Sequence, residues 1–345
     1  MTDKRIGVTV LTGFLGSGKT TLLNRLVRTP RYADAAVVIN EYGSVGIDHH
    51  LVRGSADTVT VLEGGCICCL VRGALTDTLR DLFMQALRRT IKPFRHLIIE
   101  TSGLASPAPI LFTLRHDHFL AERYAYEGTV AVADARQLAA EASPSAPMPA
   151  EMAQQLALAD RVVIGKTDLA SPREIEAARA RVGAINPSAQ VLVLGPETEL
   201  PAGLLLEGGY RKSPARADGQ ALAVEGGWLS RFAPVTGSHG SAGATAHDVA
   251  VWTHVFDAPP ARPAFLLRMA ALQESLGESL LRVKGLLAFA DGTGPWVVHG
   301  VHRELYPLVE LDAWPDADQR SRLVFIVRGM PEEKLAALLR ESLSR

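Results

Sequence analysis

Eight residues near the N-terminus have the types and spacing of a phosphate-binding loop. Gly13-Phe14-Leu15-Gly16-Ser17-Gly18-Lys19-Thr20 matches the pattern G-x-x-x-x-G-K-[ST] between an apolar segment and a helical one. In such a loop the glycines let successive backbone N–H groups point at phosphate oxygens, and the helix adds the positive end of its dipole. We expect Lys19 to reach the β- and γ-phosphates of a nucleotide and the Thr20 hydroxyl to ligate Mg²⁺. These eight residues and Thr21 form the predicted phosphate site.

A second set of candidate residues follows a later apolar segment. Hydrolysis by a phosphate-loop protein also needs a carboxylate near the metal and a group that senses the γ-phosphate. The run Leu97-Ile98-Ile99-Glu100-Thr101-Ser102-Gly103 offers both. Glu100 would end a strand close to Mg²⁺ bound on Thr20, and the Gly103 N–H would meet the γ-phosphate. The candidate catalytic residues are therefore Lys19, Glu100 and Gly103.

The segment from Gly165 to Asp168 matches most of the base-recognition pattern N-K-x-D. In that pattern the aspartate accepts hydrogen bonds from N1 and N2 of guanine, while the lysine stem covers the base. Lys166 and Asp168 thus favour a guanine nucleotide, although Gly165 stands where the pattern has asparagine. The alternative is a solvated turn.

All three cysteines of the chain lie within four residues, at Cys66, Cys68 and Cys69. Three soft thiolates suit Zn²⁺, Co²⁺ or Cu⁺ and leave a fourth coordination position open, as a protein that releases its metal requires. Two other interpretations stay open, namely small buried apolar side chains and a redox-active pair of Cys66 and Cys69. The clustering excludes a disulfide framework.

The elements that must position these residues alternate between strand and helix over about the first two hundred residues. Continuous apolar segments typical of buried parallel strands predict β-structure at 5–12, 35–40, 96–100, 128–132, 161–165 and 190–195. Helices are predicted at 20–28, 73–89, 153–159 and 172–182. This order predicts an α/β domain, residues 1–207, with a doubly wound and mostly parallel sheet.

The remaining sequence predicts a linker and a smaller domain. Residues 208–247 are rich in Gly, Ser, Ala and Pro without periodicity, which is typical of a flexible linker. Residues 248–345 are predicted to form an α+β domain with an antiparallel sheet. Its strands are expected at 249–256, 281–290, 296–301 and 323–327, and its helices at 263–276 and 332–343.

Charge and hydropathy exclude several classes of function. Lys and Arg number 36 against 37 Asp and Glu, for a net charge of −1, so a nucleic-acid partner bound by phosphate neutralisation is disfavoured. No apolar run of 18 residues occurs, which disfavours a membrane span. The N-terminal residues have no secretory cleavage pattern. We expect a cytoplasmic protein.

Taken together, these motifs resemble the CobW family of P-loop GTPases. The resemblance extends into the second domain at 281–285 and 322–326, and in the first it rests on residues 13–20, 40–48, 64–69, 100–103 and 166–168. It implies that 40–48, beginning at Asn40, is the first switch. Glu41 and Asp48 would lie near Mg²⁺ or near the cysteines and couple the two. Glu100 and Gly103 would belong to the second switch.

Several residues depart from the family pattern or add weaker candidate ligands. Ser44 stands where the family usually has Glu, and Gly165 where it has Asn, Ser or Thr. His239, His247 and His254 are expected to be solvated or to lie on a strand face, since isolated histidines are usually structural. His49 and His50 are better secondary ligands, although a polar loop explains them as well.

The resemblance implies a GTP-hydrolysing metal chaperone. Its cofactors would be GTP and Mg²⁺, its cargo Zn²⁺ or Co²⁺ held by the three cysteines, and its partner a client metalloprotein. A homodimer linked to metal or nucleotide is compatible with it. The alternatives are cobalt delivery in cobalamin biosynthesis, a metal buffer, a dithiol redox protein and a small-molecule phosphotransferase. The phosphotransferase leaves the cysteines and Lys166-Thr167-Asp168 without a role.

Overall fold

A computed structural model of the 345-residue chain describes residues 4–40, 59–62, 70–140, 148–205, 248–292, 294–315 and 318–343. The chain divides into two compact units. The first is drawn from Met1–Ala139, Ala159–Ala178 and Val191–Ser213, and the second from Ala140–Leu158, Arg179–Gln190 and Pro214–Arg345. The predicted domain limits at 207 and 247 lie outside the described residues and stay predictions.

A seven-stranded sheet forms the core of the first unit. Its strands are β1 (Ile6–Thr12), β2 (Ala36–Asn40), β3 (Val59–Leu62), β4 (His96–Thr101), β5 (Tyr124–Asp134), β6 (Arg161–Gly165) and β7 (Gln190–Val193). They lie in the order β3-β2-β4-β1-β5-β6-β7. The pairings of β1 with β4 and β5, of β2 with β3 and β4, and of β5 with β6 are all parallel. The predicted parallel α/β sheet is confirmed.

The strand order brings the chemically active segments to one edge of the sheet. Because β1, β4, β5 and β6 are parallel neighbours, their carboxyl ends meet there, and ligands of such sheets bind at that edge. The continuous apolar runs of β1 and β4 are buried along almost their whole length, as strands covered on both faces must be.

Seven helices accompany these strands in the described part of residues 4–205. They are α1 (Lys19–Val27), α2 (Leu70–Leu87), α3 (Ala108–His116), α4 (His118–Arg123), α5 (Ala135–Ala140), α6 (Ala150–Leu158) and α7 (Pro172–Ile185). The four predicted helices correspond to α1, α2, α6 and α7. Strand β3 and helices α3, α4 and α5 have no counterpart in the sequence prediction. Among the described residues, no helix combines the length and the apolarity needed to cross a bilayer.

The second unit contains an antiparallel sheet with helices packed against it. The strands are β8 (Val249–Val255), β9 (Leu280–Leu287), β10 (Trp296–Val301), β11 (Glu304–Leu305), β12 (Val309–Glu310) and β13 (Arg322–Arg328). Their order is β11-β10-β9-β13-β8, with β12 paired to β10. Helices α8 (Arg262–Leu276) and α9 (Glu332–Leu343) lie in the same part of the chain, and α6 also belongs to this unit. The predicted α+β architecture is confirmed.

Helix α9 shows why these elements pack as they do. Leu335, Leu339 and Leu343 recur every fourth residue and are almost fully buried. They join Phe265 and Phe325 in the same apolar cluster. Residues four apart lie on one face of a helix, so this spacing buries one stripe and leaves the rest in water.

Two histidines, one buried and one half-buried, predict acid sensitivity of this unit. Burial lowers the pKa of His302 and of His254, the latter in spite of nearby Asp257. A lowered folded-state pKa means that the unfolded chain, with a histidine pKa of about 6.5, binds protons first as the pH falls. Stability is therefore unaffected by these groups above about pH 6.5 and is lost below it.

We expect His254→Phe to reduce the loss of stability at low pH. The phenylalanine ring cannot be protonated, and the His254 ring that it replaces already lies edge-on to Phe256, with the ring centroids 4.7 Å apart. Urea midpoints at several pH values between 7.5 and 5 measure the effect. His118→Gln is the control, because that side chain is 92% exposed. If wild type and His254→Phe lose the same stability on acidification, burial of His254 is not a cause.

Candidate nucleotide site

The phosphate-loop motif connects the end of β1 to the start of α1. Gly13 adopts φ +145°, and a Cβ atom there would lie 2.2 Å from the Val132 carbonyl oxygen. Gly18 is the N-cap of α1 and adopts φ +99°. Side chains other than hydrogen are strained in such conformations, so glycine at these two positions permits the turn from sheet to helix. The first turn of a helix has N–H groups without an acceptor inside the helix, and such groups bind anions.

Lys19 is the first residue of α1 and is 9% exposed. Its Nζ donates hydrogen bonds to the carbonyl oxygens of Gly13, at 2.9 Å, and Phe14, at 3.3 Å. The ammonium group thus lies against the loop itself. A cation beside a helix N-terminus gives this part of the site the electrostatics of an anion-binding site.

Thr20 and Glu100 meet although 80 residues separate them in the chain. The Thr20 hydroxyl donates a 2.8 Å hydrogen bond to Oε1 of Glu100. Glu100 lies near the end of β4 and is 4% exposed. A hydroxyl oxygen and a carboxylate oxygen at this separation are the hard donors that Mg²⁺ prefers. The residues present therefore fit the metal that the sequence predicts for them.

A buried pair of threonines fixes the two motifs relative to each other. Thr101 Oγ1 donates to Thr12 Oγ1 at 2.9 Å, and Leu11 is paired with Glu100 in the sheet. The phosphate loop begins directly after Thr12, so this hydrogen bond and the strand pairing hold the start of the loop next to the segment after β4. This explains how Thr20 and Glu100 come into contact.

Gly103 lies directly against the phosphate loop. A Cβ atom at this position would be 2.5 Å from Leu15 Cδ2 and 2.9 Å from the Leu15 backbone nitrogen. Such distances leave no room for any side chain. Glycine is therefore required for the close approach of this segment to the loop, a role that is independent of backbone φ.

A cavity of about 430 Å³ opens at this edge of the sheet. Nine predicted site residues line it, namely Leu15, Gly16, Gly18, Lys19, Thr20, Thr21, Glu100, Gly103 and Lys166. Four further lining residues were not predicted as site residues, namely Ile39, Thr101, Ser102 and Leu104. The phosphate-loop, carboxylate and base-recognition motifs thus contribute to one cavity.

Lys166 adopts a left-handed backbone, with φ +54°, and its Nζ lies 2.8 Å from Oδ2 of Asp134. Asp134 ends β5, and its other oxygen accepts hydrogen bonds from the backbone N–H of Arg136 and Gln137. Burial would raise the pKa of Asp134, but the hydrogen bonds from Lys166 and these N–H groups outweigh it and lower that pKa. Asp168 is exposed in the short 3-10 turn Thr167–Leu169, and it does not line the cavity.

Asp134 and the turn at Gly195–Thr198 were not predicted as parts of the site. Arg25 of α1 donates a 3.0 Å hydrogen bond to the Gly195 carbonyl oxygen and another to that of Thr198. A Cβ atom on Gly195 would be 3.1 Å from Thr167 Oγ1, so this turn lies against the base-recognition segment. A carboxylate at the end of an apolar strand, the signal that identified Glu100, was also available for Asp134.

Comparison with known proteins matches two adjoining families. Residues 7–193 match the family described as CobW/HypB/UreG, nucleotide-binding domain. The chain belongs to this family. Residues 249–343 match the cobalamin synthesis protein cobW C-terminal domain, so the CobW resemblance extends over both units.

Relatives of this CobW-family chain cover nearly all of its length. It is 30% identical to the zinc chaperone YjiA of Escherichia coli over 96% of this chain and 97% of the relative. It is 27% identical to the zinc chaperone CobW of Pseudomonas aeruginosa over 99% of this chain and 92% of the relative. A crystal structure of zinc-bound YjiA superimposes with a TM-score of 0.71, at 25% identity over 98% of this chain and 99% of that one.

Several predicted residues of the CobW-family chain are outside the described part. Asn40 ends β2 beside Thr101 of β4, so the first predicted switch leaves the sheet at the edge that carries the cavity. Glu41, Asp48, Cys66, Cys68 and Cys69 fall outside the described residues. His254 lies on strand β8, as predicted for a structural histidine. No metal-ligating cluster occurs in the described ranges.

Proposed function

We propose that this protein hydrolyses GTP and couples that reaction to the transfer of a transition metal, Zn²⁺ foremost, to a client metalloprotein. The observation that carries the proposal is the contact between Thr20 and Glu100 in the cavity that Lys19 also lines. It is supported by membership of a family of P-loop GTPases and by relatives named zinc chaperones. Cytoplasmic location and a homodimer stay predictions.

The chemistry assigned to the cavity is phosphoryl transfer to water. Lys19 and the N–H groups at the start of α1 would stabilise negative charge on the β- and γ-oxygens. Mg²⁺ bound to Thr20 and Glu100 would neutralise charge on the same oxygens. Gly103 would bring its N–H close to the γ-phosphate because no side chain holds it away from Leu15.

The sheet topology supports coupling between the cavity and the cysteines. Strand β3 is parallel to β2, so it ends at the same edge of the sheet as the cavity. Seven residues, 63–69, connect Leu62 at its end to Leu70 at the start of α2, and they include all three cysteines. A metal bound by Cys66, Cys68 and Cys69 would thus be attached to β3, the sheet neighbour of β2, whose end carries the first predicted switch.

The test measures coupling in both directions. The GTPase rate is followed with ATP as competitor, while zinc or cobalt is titrated into the metal-free protein. Zinc affinity is measured with GDP and with a non-hydrolysable GTP analogue, and we expect the two affinities to differ by about 5- to 150-fold, the usual range of coupling between sites. A variant with Cys66, Cys68 and Cys69 replaced by serine should still hydrolyse GTP, at a rate that does not change when metal is added.

Each alternative predicts a different result. If the GTPase rate does not depend on metal and zinc affinity does not depend on the nucleotide, the protein is a metal buffer or a redox protein on a GTPase scaffold. Loss of activity after oxidation of the cysteines, without any metal, would favour the redox protein. Stronger coupling to Co²⁺ than to Zn²⁺ would favour cobalt delivery. Phosphorylation of a small molecule in proportion to nucleotide consumed would identify a phosphotransferase.

A further inference from the structure

The base-recognition segment lacks the side chain that would normally fasten it. Gly165 occupies the asparagine position of the pattern, and the nearest atom to a Cβ built there is the Ala133 carbonyl oxygen at 3.9 Å. The space beside Gly165 is therefore open. Some other contact must hold the segment from Gly165 to Asp168 in place.

One such contact is the ion pair between Lys166 and Asp134. Asp134 ends β5, and Lys166 directly follows the end of the adjacent strand β6, where Gly165 is paired with Asp134 in the sheet. A left-handed conformation is strained for a residue with a side chain, so Lys166 keeps it only if its surroundings impose it. The 2.8 Å bond from Nζ to Asp134 supplies such a constraint.

Asp134 is itself held rigidly. One of its carboxylate oxygens accepts the backbone N–H groups of Arg136 and Gln137 at 2.9 and 3.3 Å, while the other binds Lys166. The Asp134 side chain is 17% exposed, and only Lys166 of the pair lines the cavity. Asp134 can therefore influence a ligand only through Lys166 and the segment that follows it.

We propose that Asp134 is a positioning residue for guanine recognition, which it serves by holding Lys166 and, through Lys166, the turn that carries Asp168. Neutralised by Asp134, Lys166 presents its methylene stem to the base rather than a mobile charge. Asp168, two residues later, is the group able to accept hydrogen bonds that guanine can donate and adenine cannot. The inference rests on the proposed function, which supplies the guanine nucleotide.

The test compares GDP and ADP affinities of the wild type and of Asp134→Asn. Asparagine can still accept the N–H bonds at the start of α5 but cannot form the ion pair. Loss of one charge-assisted hydrogen bond predicts a roughly tenfold weaker GDP affinity. ADP affinity should change little, so the preference for GDP falls by about the same factor.

Asp117→Asn is a matched control, because it changes an aspartate with the same two kinds of contact away from the cavity. Asp117 also forms an ion pair, with Arg80 at 2.9 Å, and caps a helix by accepting the N–H of Leu120. It does not line the cavity. This variant should keep the wild-type preference for GDP, because it loses an equivalent ion pair and cap that hold no base-recognition residue.

A double-mutant cycle with Lys166→Met separates positioning from a general loss of stability. If Asp134 acts through Lys166, adding Asp134→Asn to Lys166→Met should cause no further loss of GDP preference. The inference would be overturned if the two substitutions reduced the GDP preference additively, or if Asp134→Asn weakened GDP and ADP binding equally. Neither result would contradict the proposed GTP hydrolysis. A wild-type protein without any preference for GDP over ADP would instead overturn the guanine part of the proposed function.

Discussion

Replacing Lys19 with methionine is expected to lower kcat for GTP hydrolysis by about a thousandfold, because removal of a single preorganised donor to a developing oxyanion costs roughly 10²–10³. Lys19 is the buried cation of the cavity, held against the loop by the carbonyl oxygens of Gly13 and Phe14. Methionine keeps a side chain of similar length but carries no charge. The measurement is single-turnover hydrolysis at saturating GTP, which separates chemistry from binding.

Lys92→Met is the control for loss of a lysine as such. Lys92 is exposed in the turn after α2 and does not line the nucleotide cavity. The Lys92→Met variant should retain the wild-type kcat for GTP hydrolysis. Hydrolysis by Lys19→Met within tenfold of the wild type would show that Lys19 does not stabilise the transferring phosphate, and the catalytic assignment would then be wrong.

The part of the site that the sequence predicted is the part encoded by local spacing. The glycines at 13 and 18 and the lysine at 19 define one turn between a strand and a helix, so their arrangement depends on few other residues. The meeting of Thr20 with Glu100 required one further inference, that both follow parallel strands ending at one edge. The register of Leu11 with Glu100 confirms that step.

The partners of Asp134 and Arg25 could not be predicted in the same way. Their contacts with Lys166 and Gly195 depend on which strands are neighbours, and no local pattern records that β5 lies beside β6. An ion pair across two strand ends is a consequence of strand order. It becomes predictable only once the order of the sheet is known.

Strand β5 shows how tertiary contacts extend an element beyond its sequence signal. The apolar run predicted 128–132, but the strand begins at Tyr124. Tyr124 and Tyr126 are buried, and their hydroxyl groups donate to the Leu79 carbonyl oxygen at 2.7 Å and to Asp160 at 3.2 Å. Burial of these polar groups is tolerated because distant residues satisfy their hydrogen bonds.

Helix α3 was missed for a different reason. Pro107 and Pro109 lie close together at its start, where the sequence analysis recognised no helix. Proline is compatible with the first turn of a helix, since the N–H groups there have no partner within the helix. The structure places Pro107 at the N-cap and Pro109 within that first turn.

Replacing Gly103 with alanine is expected to lower kcat for GTP hydrolysis by about a hundredfold, the lower range for loss of one aligned donor, while GDP affinity stays within about threefold. The new methyl group would lie 2.9 Å from both the Cα and the N atom of Leu15. Those are backbone atoms, which a change of side-chain rotamer cannot move away. The segment after β4 must therefore shift from the phosphate loop, and its N–H moves away from the γ-phosphate.

The control is Gly183→Ala in α7, where an added Cβ meets no atom within 4 Å. Alanine in a helix is favoured over glycine by roughly 0.5–1 kcal/mol, so this variant should be as stable as the wild type or more so, with unchanged kcat. Thermal unfolding of both variants separates misfolding from a local effect. If Gly103→Ala is folded and hydrolyses GTP at the wild-type rate, the segment after Glu100 has no part in the phosphoryl-transfer step.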